Sequence, residues 1–149
     1  MARILAIDYG QKRVGIAVTD NLQIIATALD TVHSKDAVQY ISEYVACEDV
    51  ELFVIGFPKD LQNNATDATK YVEAFIKHLE KKFPNIPIEK VDERFTSKIA
   101  FRAMVDGGLK KNARRDKAMI DKLSAVVILQ SYLEQKQNER ERKQLTIKN

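Results

Sequence analysis

A chain of 149 residues that is 45% apolar and 30% charged has the length of one domain and the composition of a folded, water-soluble one. Five Gly and three Pro exclude collagen-like and low-complexity architectures, and the single Cys47 excludes an internal disulfide. His33 and His78 are far apart in the chain, which argues against a Cys/His zinc site. The longest uninterrupted apolar runs, Ile4–Ile7 and Ala125–Leu129, fall far short of the roughly 20 residues that a membrane span needs. The opening Met1-Ala2-Arg3 carries no secretory h-region, so a cytoplasmic location with no membrane partner is expected.

The elements follow in chain order. Arg3–Asp8 is a short apolar run of the kind buried on both faces of a sheet. Gly10 turns the chain into an alternating strand over Val14–Thr19, and a turn at Asp20-Asn21 leads to a third strand over Ile24–Val32. Ser34 is placed to cap a helix running through Cys47, with Val38, Ile41 and Val45 at helical spacing. Leu52–Phe57 is a second fully apolar strand, stopped by Pro58 and followed by the polar loop 59–64. Ala68, Val72, Phe75, Ile76, Leu79 and Phe83 repeat at 3.6 residues and predict a helix that Pro84-Asn85 ends. Ile86–Val91 is a strand. Thr96 caps a further helix that closes at Gly107-Gly108, and the last helix runs from about Lys117 to Gln135. Beyond Glu134 the apolar period is lost, which predicts a domain over 1–137 and a fraying charged tail over 138–149. The order predicts an α/β fold: a five-stranded mixed sheet, first strand central, flanked by helices on both faces.

Charge is unevenly spread. Lys110, Lys111, Arg114, Arg115 and Lys117 stand against Asp116 alone, a net +4 within nine residues of a chain whose total is +3. A local basic segment on a near-neutral body points to a polyanion partner.

Three carboxylates of separate origin carry the candidate chemistry. Asp8 ends the first buried strand, where a lone carboxylate is costly and wants a cation. The Gly10 turn after it offers Lys12 and Arg13 to phosphate oxygens. Asp92, Glu93 and Arg94 close the late strand on the same side of the sheet, and side-chain alternation sends the two acids opposite ways. Asp121 shares a helix face with Ser124, Ala125 and Ile128. Hard carboxylate oxygens suit Mg²⁺, and a pair of such ions can activate water against a phosphodiester.

Asp8-Tyr9-Gly10-Gln11-Lys12-Arg13-Val14-Gly15, Ile55-Gly56-Phe57-Pro58, Asp92-Glu93-Arg94-Phe95-Thr96 and the segment Asp121–Gln130 together resemble the YqgF/RuvX family, in order, from Arg3 to about Leu133. The resemblance implies an RNase H-like fold. It also implies a nuclease maturing the 5′ end of the 16S ribosomal RNA precursor, or a Holliday junction resolvase. It implies Asp8, Glu93 and Asp121 as an acidic triad holding Mg²⁺ or Mn²⁺, and a structured RNA or branched DNA substrate met by a monomer or homodimer. One departure is the loop 59–64, which lacks the family's usual glycine. Two other readings compete: a phosphate-binding Asp-x-Gly hairpin of an actin-like or sugar-kinase ATPase, for which the chain is too short, and a non-catalytic RNA-binding protein of ribosome assembly.

Overall fold

In a computed structural model of the chain, residues 2–57, 67–92 and 117–148 are described; for 67–68, 92, 117–123 and 144–148 this extends to the backbone alone. Five strands form one sheet: β1 (Arg3–Tyr9), β2 (Arg13–Thr19), β3 (Ala26–His33), β4 (Val50–Phe57) and β5 (Ile88–Asp92). Their order is β3-β2-β1-β4-β5. The first three are antiparallel, while β4 and β5 run parallel to β1. The mixed sheet with a central first strand is as the residue pattern predicts.

The reason for β1's position is its composition. Leu5, Ala6 and Ile7 are fully buried and Ile4 nearly so, and only an interior strand covered on both faces can bury four consecutive side chains. Alternation splits them. Leu5 and Ile7 join Phe53, Ile55 and Ile41 in a core under α1 (Ala37–Cys47) and α2 (Asp67–Lys82). Ile4 and Ala6 join Ala17, Val54 and Val91 in a second core under α3 (Lys117–Lys148). Helices therefore cover both faces.

Three differences from the sequence reading have physical causes. Ser34 does not cap α1 with its side chain. It opens a single 3₁₀ turn, Ser34–Asp36, in which His33 Nδ1 accepts from the Lys35 amide. The Ser34 hydroxyl donates instead to the Gln11 carbonyl, at 2.6 Å. β3 starts at Ala26 because Asp20 Oδ1 accepts from the amides of Ile24 and Ile25 and holds them in the preceding turn. α3 continues through Lys148 rather than fraying at Glu134. Its end is rich in Glu, Gln, Lys and Arg, which are good helix formers whatever their periodicity, and Glu139 precedes Lys143 at the favourable i, i+4 spacing. The helix expected over 96–107 lies outside the described residues.

Candidate nucleic-acid cleavage site

The parallel strands β1, β4 and β5 end on one side of the sheet, at Tyr9, Phe57 and Asp92, the side on which open α/β sheets build their sites. Asp8 is at that end of β1, opposite Gly15 of β2 and half-buried. It is even-numbered like Ile4 and Ala6, so it shares the face on which α3 packs.

The turn beyond it is tight. The Gly10 amide donates to the Arg13 carbonyl at 2.9 Å, and a Cβ on residue 10 would come within 2.7 Å of that same oxygen. Glycine is required by this approach. The 3₁₀ turn braces the other side, with the Ser34 amide donating to the Lys12 carbonyl at 3.1 Å and the Ser34 hydroxyl holding Gln11. Lys12 and Arg13 are exposed at the rim of a fixed turn.

Residue 121 lies at the same end. α3 runs against the direction of β1, because Tyr132 and Leu133 meet Ile4 and Leu52 near the strands' opposite end. From Tyr132 back to residue 121 is about 16 Å of helix at ~1.5 Å per residue. From Ile4 to Asp8 is about 13 Å of strand at ~3.3 Å per residue. Residue 121 is one turn before Ala125, a fully buried residue on the sheet-facing side of α3. The two acids' backbones are thus brought to one end of one face.

Glu93, Arg94 and the basic run Lys110, Lys111, Arg114 and Arg115 lie outside the described residues, as do the side chains of Lys117 and Asp121. Among the described residues no three His, Cys, Asp or Glu side chains gather as a metal cluster. Asp8 is the one member of the predicted triad whose side chain is described. The hard oxygen donors expected of the three acids suit a divalent cation of the Mg²⁺ class.

Among the described residues, two clefts flank this frame. The larger, about 680 Å³, is at the far end of the strands among Ile4, Leu22, Ile24, Leu52 and Tyr132, remote from Asp8. The smaller, about 500 Å³, lies beside the Asp8 end on the α1/α2 face and is lined by Tyr9, Ser34, Lys35, Tyr71, Phe75 and His78, among others. Sequence reasoning missed this second cleft, since its walls come from three separate stretches of chain with no shared motif.

A family model described as "RuvX: Holliday junction resolvase" matches residues 2–135. The chain belongs to the RuvX family. Among curated relatives of this RuvX protein, one from Parabacteroides distasonis, named "Putative pre-16S rRNA nuclease", is 54% identical over 91% of this chain and 97% of its own length. Another of that name, from Flavobacterium psychrophilum, is 48% identical over 91% of this chain and 99% of its own length. Among solved structures, Thermus thermophilus RuvC in complex with a Holliday junction substrate is similar at a TM-score of 0.50 and 15% identity, covering 86% of this chain and 92% of that one. At that identity the likeness shows the fold, which is RNase H-like. The family model's match ends at Gln135, so the last three to four turns of α3, up to Lys148, extend past the matched region.

Proposed function

We propose that this RuvX protein is a metal-dependent endonuclease hydrolysing phosphodiester bonds in structured nucleic acid, with the 5′ end of the 16S rRNA precursor as its substrate. The single observation that carries the reading is the placement of Asp8. It lies next to the end of the central buried strand, on the face covered by α3. The relatives' names supply the substrate.

Asp8, Glu93 and Asp121 are the proposed metal-holding acids. Glu93 is preferred to Asp92 on the resemblance of Asp92-Glu93-Arg94-Phe95-Thr96 to the family's motif. When Mg²⁺ or Mn²⁺ is bound by these acids it supplies Lewis acidity toward the phosphodiester and toward an attacking water. Lys12 and Arg13, fixed on the braced turn, hold phosphate oxygens next to Asp8. Arg94 and the segment carrying Lys110, Lys111, Arg114, Arg115 and Lys117 hold the rest of the polyanion. None of these groups distinguishes ribose from deoxyribose, so a four-way DNA junction, the substrate in the family's description, is the second reading.

The test sets precursor 16S rRNA and a four-way DNA junction side by side with Mg²⁺ and with Mn²⁺. Cleavage of the RNA by the wild type, and its loss by at least a few hundredfold in Asp8→Asn, is the expected result. That loss corresponds to several kcal/mol of metal-derived stabilisation. The substitution keeps side-chain size and leaves the melting temperature unchanged or raised, since it relieves repulsion among the acids. Wild-type cleavage by Asp8→Asn overturns the reading and returns the basic segment to a non-catalytic RNA-binding role.

A further inference from the structure

We propose that the cleft between α1 and α2 receives an unpaired nucleotide of the nucleic-acid substrate, its base against Tyr71 and its phosphate against Lys35 and His78. The proposal rests on the nuclease reading above and extends it to a part of the molecule outside the acidic site.

Three observations converge on this occupant. The first is shape and surface. The cleft holds about 500 Å³, within the range of small-ligand sites. Its floor is the stacked pair Tyr9 and Phe75, with ring centroids 4.5 Å apart, and Tyr71 stands on its wall with half of its surface exposed. A half-exposed aromatic ring over an aromatic floor is the platform on which unpaired bases stack, whatever their identity.

The second is charge. The basic side chains at the wall are Lys35 and His78, and no carboxylate lines the cleft among the described residues. Glu43, the acid that accepts from the Gln39 amide at 3.1 Å, is outside the lining. The lining thus suits a phosphate next to a base better than an acidic or purely apolar peptide.

The third is continuity with the cleavage site. Tyr9 follows Asp8 on β1, so their side chains leave opposite faces of the same strand end. Between the two faces lies the turn carrying Lys12 and Arg13. Ser34, which lines the cleft, braces that turn through the carbonyls of Gln11 and Lys12. A strand leaving Asp8 and crossing the turn over its two cations arrives at Tyr71. The cleft, the turn and the acid form one track around the end of the sheet.

The experiment measures binding of the full-length chain to two RNA hairpins by fluorescence anisotropy. One hairpin is blunt and the other carries a single-stranded extension. Ca²⁺ replaces Mg²⁺ so that charge is neutralised in a looser coordination geometry. The wild type is expected to bind the extended hairpin more tightly. Tyr71→Ala should weaken that complex about tenfold and leave the blunt hairpin unchanged, while Tyr71→Phe, which keeps the ring, binds as the wild type does. Lys35→Gln, at an exposed position on the 3₁₀ turn, should reduce the salt slope for the extended hairpin by about 0.7, one single-strand phosphate contact. Equal affinity of Tyr71→Ala and wild type for the extended hairpin, or an equal loss on both hairpins, overturns the proposal and leaves the nuclease reading intact. Failure of the wild type to bind either hairpin overturns both.

Discussion

Three alanines set how closely α3 lies on the sheet. Ala6 of β1, Ala17 of β2 and Ala125 of α3 are fully buried in one core, and their small side chains let the helix approach at the point one turn from residue 121. Ala125→Leu inserts three carbon atoms where no surface is exposed. Overpacking of this kind costs about 1–3 kcal/mol, which for a chain of this length lowers the melting temperature by about 2–12 °C. Folding survives against a typical total of about 5–15 kcal/mol. The functional cost should be larger, because the strain is relieved by lifting α3 off β1 and separating Asp121 from Asp8. A displacement of about 1 Å between groups that act together can cost about a hundredfold in rate. Ile128→Ala is the matched control. It opens a cavity beside the same residues and costs about 2–5 kcal/mol, but it removes bulk and leaves nothing to push the helix outward. Melting temperatures from circular dichroism and Mg²⁺-dependent cleavage, measured well below both melting points, separate the effects. Ala125→Leu should lose about two decades of cleavage, and Ile128→Ala should keep most of it despite an equal or greater loss of stability. Equal cleavage by the two variants would refute the idea that α3's spacing from the sheet tunes the site.

Further expectations test other parts of the frame. Gly10→Ala places a methyl group within 2.7 Å of the Arg13 carbonyl oxygen. The turn must open, so nucleic-acid affinity should fall with its Lys12 and Arg13 contacts while the cores under the helices stay intact, as read by binding and near-ultraviolet circular dichroism. Tyr132 is buried and donates to Glu89, and burial foremost, then the charge and hydrogen bond of Glu89, raise its phenol well above the ordinary value of 10.0. A raised folded pKa means that this stability is fully present below about pH 10 and is lost as pH rises beyond it. Tyr132→Phe should therefore cost about 1 kcal/mol at neutral pH and flatten the alkaline limb of a denaturation profile. Replacing Lys110, Lys111, Arg114 and Arg115 with Ala should weaken substrate binding and lower the magnitude of its salt slope by up to about 3–4. An unchanged slope reassigns the segment to a solvated surface.

The sheet was legible because burial leaves a strong mark on sequence. Ile4–Ile7 and Leu52–Phe57 can be continuous apolar runs only where both faces are covered, and they became the central pair β1 and β4. The face assignment of Asp8 follows from the same runs, by counting in twos from Ile4. The end of α3 was less legible, since helix propensity without an apolar stripe leaves no period to read. Ser34 has the right chemistry for a cap, but its hydroxyl is taken by the Gln11 carbonyl, a long-range partner that local sequence does not announce. Tyr71 reads as the solvent side of an amphipathic helix. Its neighbours Lys35, Ser34 and Tyr9 come to it only through the tertiary fold.

The position of Asp8 is a consequence of how β1 is built. Odd residues Leu5 and Ile7 are large and fill the core beneath α1 and α2, while even residues Ile4 and Ala6 decrease in size toward Asp8 and draw α3 in. A one-residue slip of β1 against β2 and β4 would exchange the two faces. It would drive Ala6 into the space that Leu5 and Ile7 fill, press those two against α3, and turn Asp8 away from residue 121. The hydrophobic cost of that exchange, several side chains at about 1.5–3 kcal/mol each, exceeds the repulsion that crowding acids at one strand end would generate at an effective dielectric near 20, of the order of a few kcal/mol per close pair. The packing of the two cores, and not local charge, thus decides which face of the sheet Asp8 occupies.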